Sequence, residues 1–219
     1  MLAVLTGLGL SAAAGLNAYI PLLVVGMLAR HTDLVRLPAE FEWLTNGWVL
    51  ALLGVLLAAE VVLDKVAVVD SLNDAVQTFV RPAAGGAVFA ATDAAGRLDS
   101  SLFMTEFMTD HPWIGWALGI VVALVVHLTK TSIRPVVNAG TLGTGAPVVS
   151  TVEDTVSLGM SILAILAPII ALIGVIMLAF VSFRMLRAFR RRRRRRRGIS
   201  ASSGGYSPAT TGQDRTLRP

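Results

Sequence analysis

Eight consecutive arginines, Arg190 to Arg197, follow closely on an apolar run from Val156 to Phe183. A helix over that run is long enough to cross a hydrocarbon core of about 30 Å. Basic side chains at the end of a span stay on the cytoplasmic side, because carrying them across costs free energy and anionic inner-leaflet lipids attract them. The junction predicts an integral membrane protein with a cytoplasmic C-terminus. Arg190, Arg191, Arg192, Arg193, Arg194, Arg195, Arg196 and Arg197 are candidate contacts to the anionic lipid surface. Arginine runs also neutralise nucleic-acid phosphates, but a lipid clamp accounts for the same residues without a further partner, so no nucleic acid is expected.

A mean hydropathy of +0.69 agrees with this class, and so do 54% apolar and only 15% charged residues, values outside the range of soluble domains. The formal charge of +5 belongs to the tail. Residues 184–219 hold 12 of the 19 Lys and Arg and only Asp214 among the acids, whereas residues 1–183 carry 7 basic groups against 13 acidic, a net of −6. The chain thus divides into a helical transmembrane domain over 1–183 and an arginine-rich cytoplasmic tail over 184–219, whose Ser, Gly, Thr and Pro content predicts disorder. The absence of cysteine excludes disulfides and thiolate chemistry. Ala12-Ala13-Ala14 imitates a signal-peptide cleavage site, but no basic residue precedes it and the apolar stretch continues to Ala29, so it reads as a retained span.

Four segments have the length and composition of spans: Leu2 to Ala29, Trp43 to Leu63, Pro112 to Thr129 and Val156 to Phe183. Trp43 and Trp48 open the second and Trp113 and Trp116 the third, where aromatic side chains settle at the interface. Asp70 to Ala95 and Thr131 to Ser150 are apolar but interrupted by Pro82 or Pro135 and by glycines. They read as half-helices or re-entrant segments, which survive at membrane depth only where protein or water covers them. The expected fold is all-α: a compact bundle of about four transmembrane helices plus two half-helix or re-entrant segments. Small-residue stripes at Gly7, Ser11 and Gly15, and at Gly115, Gly119 and Ala123, mark faces where helices approach closely. They could meet each other or a second copy of the chain, which makes a homo-oligomer a candidate assembly.

Two matching hexapeptides stand out: Gln77-Thr-Phe-Val-Arg81-Pro82 and Lys130-Thr-Ser-Ile-Arg134-Pro135. Leu8-Gly-Leu-Ser11 and Leu158-Gly-Met-Ser161 give a weaker echo. Matching helix breaks point to an internal duplication with a binding site at the repeat interface. The charges around them fall into helical register. Glu60 and Asp64 are four apart, with Lys65 following; Asp70 and Asp74 repeat the spacing beside Asn73; His127, Lys130 and Arg134 form one stripe. An ionised group alone at the bilayer centre costs at least ~2.5 kcal/mol, so these groups must pair, snorkel or line water. In one reading Arg81 and Arg134 hold a small anionic solute or a lipid headgroup, and in a variant the acids relay protons or cations. In the alternative the two arginines pair with those same acids.

Catalysis finds little support: there is no metal-spaced His/Glu pair, no nucleophile elbow and no phosphate loop between strand and helix. Gly140, Gly143 and Gly145 supply only a candidate anion nest from backbone amides. No enzyme activity, cofactor or metal is expected.

Gly7-Leu-Gly-Leu-Ser-Ala-Ala-Ala-Gly-Leu-Asn-Ala-Tyr-Ile-Pro21, then Glu60-x3-Asp64-Lys65, Asp70-Ser-Leu-Asn-Asp74 and Arg81-Pro82, resemble the uncharacterised bacterial multi-pass membrane family named domain of unknown function 4126. The resemblance spans residues 5–180 and leaves out the arginine tail. It implies a compact helical domain in the bacterial inner membrane and supplies no activity. The expected function is a small transporter, channel or lipid-handling protein with a polar intramembrane site. A non-transporting scaffold, associating through the small-residue stripes, is the alternative.

Overall fold

The computed structural model describes residues 2–64, 67–97, 111–142 and 144–177, with Ala179, Phe180, Arg184 and Arg187. Lys65, Gly143 and Arg190 to Arg197 lie outside the described residues, and so does the side chain of Asp70. The elements are α1 (Leu2–Leu16), α2 (Tyr19–His31), a 3-10 turn η1 (Ala39–Thr45), α3 (Gly47–Leu63), α4 (Ala67–Arg97), α5 (Trp113–Gly140), α6 (Ala146–Leu166) and a short α7 (Pro168–Met177). No strand occurs among them. The all-α expectation holds. Two helices, α5 over Trp113–Pro135 and α6, are long and apolar enough to cross a membrane, and η1 with α3, bent by 60°, makes a third candidate.

The helix breaks fall elsewhere than the prolines and glycines suggest. Asp70 to Ala95 lies inside the unbroken α4, and Thr131 to Gly140 continues α5, so Pro82 and Pro135 are both helix-interior residues. Each costs a single i→i−4 bond, a loss the surrounding helices tolerate. The actual interruptions are at Asn17-Ala18 and Ala167. At the first, Pro21 has no N–H to return to Asn17, while the Asn17 side chain accepts from the amides of Tyr19 (3.0 Å) and Ile20 (3.2 Å) and starts α2 afresh. The segment expected as one span is therefore two short helices of 15 and 13 residues.

α1 is the hub, packed against α4, α5 and α6, with every residue from Gly9 to Leu16 buried. Its small side chains permit this. A Cβ on Gly15 would stand 2.6 Å from the Ala123 carbonyl oxygen, and one on Gly7 3.0 Å from the Phe89 ring. α4 and α5 meet at Gly85 and Gly119, where a Cβ on either would overlap the opposite backbone. Both stripes are thus taken up within the chain. The exterior is apolar, with Phe79 80% and Val121 57% exposed, while Arg81 and His127 are 0% exposed. That inverts the arrangement of a soluble protein and is compatible with a membrane protein.

Candidate functional site

On α4, Asp74, Gln77 and Arg81 share one face at spacings of three and four, and all are buried. On α5, His127, Lys130 and Arg134 do the same. α3 contributes Glu60 and its C-terminal Asp64, and α6 contributes Glu153. Seven charged side chains from four helices meet there: Arg81, Lys130 and Arg134 with Glu60, Asp64, Glu153 and the nearby Asp74. Arg81 Nη2 donates to Glu60 Oε1 at 2.7 Å and lies 4.0 Å from Asp64 Oδ2. Arg134 Nη2 donates to the same Asp64 oxygen at 3.0 Å and also to Glu153 Oε2. Lys130 Nζ lies 3.5 Å from Asp64 Oδ2 and 3.1 Å from Glu153 Oε2. The three cations are each within ion-pair distance of Glu60, Asp64 or Glu153, the pairing under which ions tolerate burial. Asn73 completes Asp64 by donating Nδ2–H to Oδ1 at 2.7 Å.

His127 is held in one tautomer by its neighbours. Arg81 can only donate, and its Nη1 is 3.3 Å from Nδ1, so Nδ1 accepts. The ring proton is then on Nε2, donated to Thr78 Oγ1 at 3.0 Å, while the Thr78 hydroxyl donates to the Asp74 carbonyl at 2.8 Å. The imidazole is neutral and bridges α4 to α5.

The network also reaches the break in the first apolar segment. The Ile20 amide turns to the Asn17 side chain, which leaves the Leu16 carbonyl without its helical partner; Lys130 Nζ donates to it at 3.1 Å. An ammonium at a helix C-terminus also suits the helix dipole. Asn17 Nδ2 donates to Asp154 Oδ1 at 2.9 Å, tying the break to α6.

Of the residues expected at a polar site, the structure thus brings together Glu60, Asp64, Asn73, Asp74, Arg81, His127, Lys130 and Arg134. Both arginines converge on Asp64, which is the paired arrangement: their partners are carboxylates of this chain. Of the expected anion nest, Gly143 lies outside the described residues. The amides of Thr141, Thr144 and Gly145 all bond within the α5–α6 turn, Gly145 to Thr141 Oγ1 at 3.0 Å, and Gly140 has open space around it. Glu153, Asp154, Asn17 and Thr78 were missing from the expected set. A fourth span starting at Val156 left the two acids outside the membrane, whereas α6, with Pro147 in its first turn, starts at Ala146, ten residues earlier. Among the described residues no group of three or more His, Asp or Glu side chains could hold a metal ion.

The sequence profile described as "Domain of unknown function (DUF4126)" matches residues 4–188. The chain belongs to this family. The match takes in every helix described above, and with them each member of the buried network. No curated protein and no solved structure matches the chain. The family's function is unknown, so a functional reading rests on the geometry.

Proposed function

We propose that the protein is a small transporter of the bacterial cytoplasmic membrane, with its C-terminus in the cytoplasm and its arginine run on the anionic lipid surface. It acts by moving a solute rather than by catalysis. One observation carries the reading: a buried network of ion pairs from four helices sits against the end of a broken apolar helix. Non-helical backbone and matched charges near mid-membrane are how transporters build sites that open to either side. The network is suited to changing partners, because Asp64 is shared by Arg81, Lys130 and Arg134, and Glu153 by Lys130 and Arg134. A shift of one helix exchanges one ion contact for another without stranding a charge.

The test needs no substrate. The chain has no cysteine, so a single thiol at Gln77, 2% exposed and with no bond to its Oε1, reports water access. In sealed vesicles Gln77→Cys should react with a membrane-impermeant maleimide from one side, and from the opposite side when Asp64→Asn is added. A thiol inert from both sides in both backgrounds would mean a closed, purely structural interior.

A further inference from the structure

We propose that the groove between α2, α3 and α6 binds an amphiphile with an apolar body and a cationic amine head. The groove encloses about 390 Å³ and is walled by Ile20 and Leu23 of α2, Leu57 and Val61 of α3, and Leu158 of α6. That volume is in the range of small-ligand pockets. Its polar side chains are Asp154 and Thr155, and the Thr155 hydroxyl donates into its own helix at 2.7 Å. Asp154 is therefore the one charge in an apolar cleft.

The adjacent acids of α6 have different surroundings. Glu153 is matched by Lys130 and Arg134. Asp154 receives one bond from a neutral amide, Asn17, and has no ion pair among the described residues. A carboxylate has about four lone-pair sites, so most of its capacity stays open toward the groove. An ionised group on an apolar wall is costly unless a cation meets it, and the network's cations are all engaged with Glu60, Asp64 and Glu153. A cationic occupant would supply the counter-charge directly. A fatty acid would bring like charge, and a neutral acyl chain would leave Asp154 uncompensated; an ammonium on an apolar chain satisfies both parts of the cleft. Asp154 lies about 12 Å along α6, at 1.5 Å per residue, and Asn17 sits midway between Leu2 and His31, so the head would lie deep in the bilayer. Through Asn17 it would touch the helix break whose other side holds Lys130. The inference deepens the transport reading by naming a substrate class, and rests on that reading for movement but not for binding.

The experiment is photo-labelling in nanodiscs of neutral lipid, using a long-chain primary alkylamine with a diazirine in the chain. Adducts are expected on Leu57, Val61 or Leu158. Unlabelled amine should compete roughly tenfold better than the alcohol of equal chain length, and the fatty acid not at all, since a charge-assisted bond is worth about a factor of ten or more. Asp154→Asn should reduce labelling to the level of the alcohol. Equal competition by amine and alcohol, or undiminished labelling of Asp154→Asn, would show a groove filled by bulk acyl chains and overturn the proposal. Should Asp154→Asn fail to fold, Leu158→Trp fills the groove from its exposed wall; labelling elsewhere that survives this change has the same overturning effect. Labelling requires no water access to Gln77. Binding with an inert Gln77 thiol would thus remove the transport reading alone, and a reactive thiol without labelling would remove this one alone.

Discussion

Neutralising Asp64 is the most incisive perturbation of the buried network. Asp64→Asn keeps an oxygen for Asn73 and nearly the same volume, but removes the carboxylate that Arg81, Lys130 and Arg134 share. Removing one partner from a buried pair costs about 3–5 kcal/mol because a charge is stranded. For a chain of this size each kcal/mol moves Tm by about 2–4 °C, so the expected fall is about 6–20 °C. Lys130→Met alone strands the opposite charge and should cost a similar amount. The double variant leaves two matched pairs, Arg81 with Glu60 at 2.7 Å and Arg134 with Glu153. It should recover at least half of the summed loss. The assay is thermal unfolding of purified protein in nanodiscs, read as the fraction surviving size exclusion, over the full double-mutant cycle. Additivity within about 0.5 kcal/mol, the behaviour of independent sites, would refute the argument that these charges are coupled as one set.

Three further outcomes follow from particular contacts. Gly119→Val should lose about 1–3 kcal/mol as an overpacked contact, since a Cβ there meets Phe89 Cβ at 2.7 Å and the Gly85 backbone; Gly159→Ala, with open space around it, should gain up to about 1 kcal/mol of helix propensity, and the same thermal assay separates the signs. Asn17→Ala removes the α2 cap and should cost about 1–2 kcal/mol, whereas Asn17→Asp keeps the cap oxygen but sets a carboxylate against Asp154 and should be worse; a milder effect of Asp than of Ala would contradict the Asn17–Asp154 bond. Nitrogen-15 NMR of ring-labelled His127 should show a protonated Nε2 and an unprotonated Nδ1, and a doubly protonated ring would rule out the bond from Arg81.

The helical class and most of the network could be read from spacing alone. Glu60 with Asp64, Asp74 with Arg81, and His127 with Lys130 and Arg134 fall on common faces only if their segments are helical, and composition made them so. Where the helices stop was not legible. Pro82 and Pro135 look like terminators because each lacks an N–H, yet one missing bond is small beside the packing of α4 on α5. Asn17 looks like an ordinary polar residue, and it ends α1 because its side chain competes for the Tyr19 and Ile20 amides, a tertiary-supported contact that no periodicity displays. The two repeats also fail to share one order. The α4 hexapeptide precedes its α5 match, but the echo on α1 and α6 brackets both, so a single tandem duplication does not generate the pair.

Why Arg81 and Arg134 sit before prolines has a physical answer in this arrangement. Pro82 and Pro135 free the carbonyls of Thr78 and Thr131 from their helical bonds, which loosens each helix within one turn of its arginine. Arg81 lies between Glu60 and Asp64, and Arg134 between Asp64 and Glu153. Asp64 is common to both, so the two arginines cannot shift independently: movement of one toward Asp64 weakens the hold of the other. In this arrangement a single carboxylate is shared by two proline-adjacent arginines, Arg81 at 4.0 Å and Arg134 at 3.0 Å from Asp64 Oδ2. The paired Arg-Pro sequences thus tie α4 and α5 to the same carboxylate of α3.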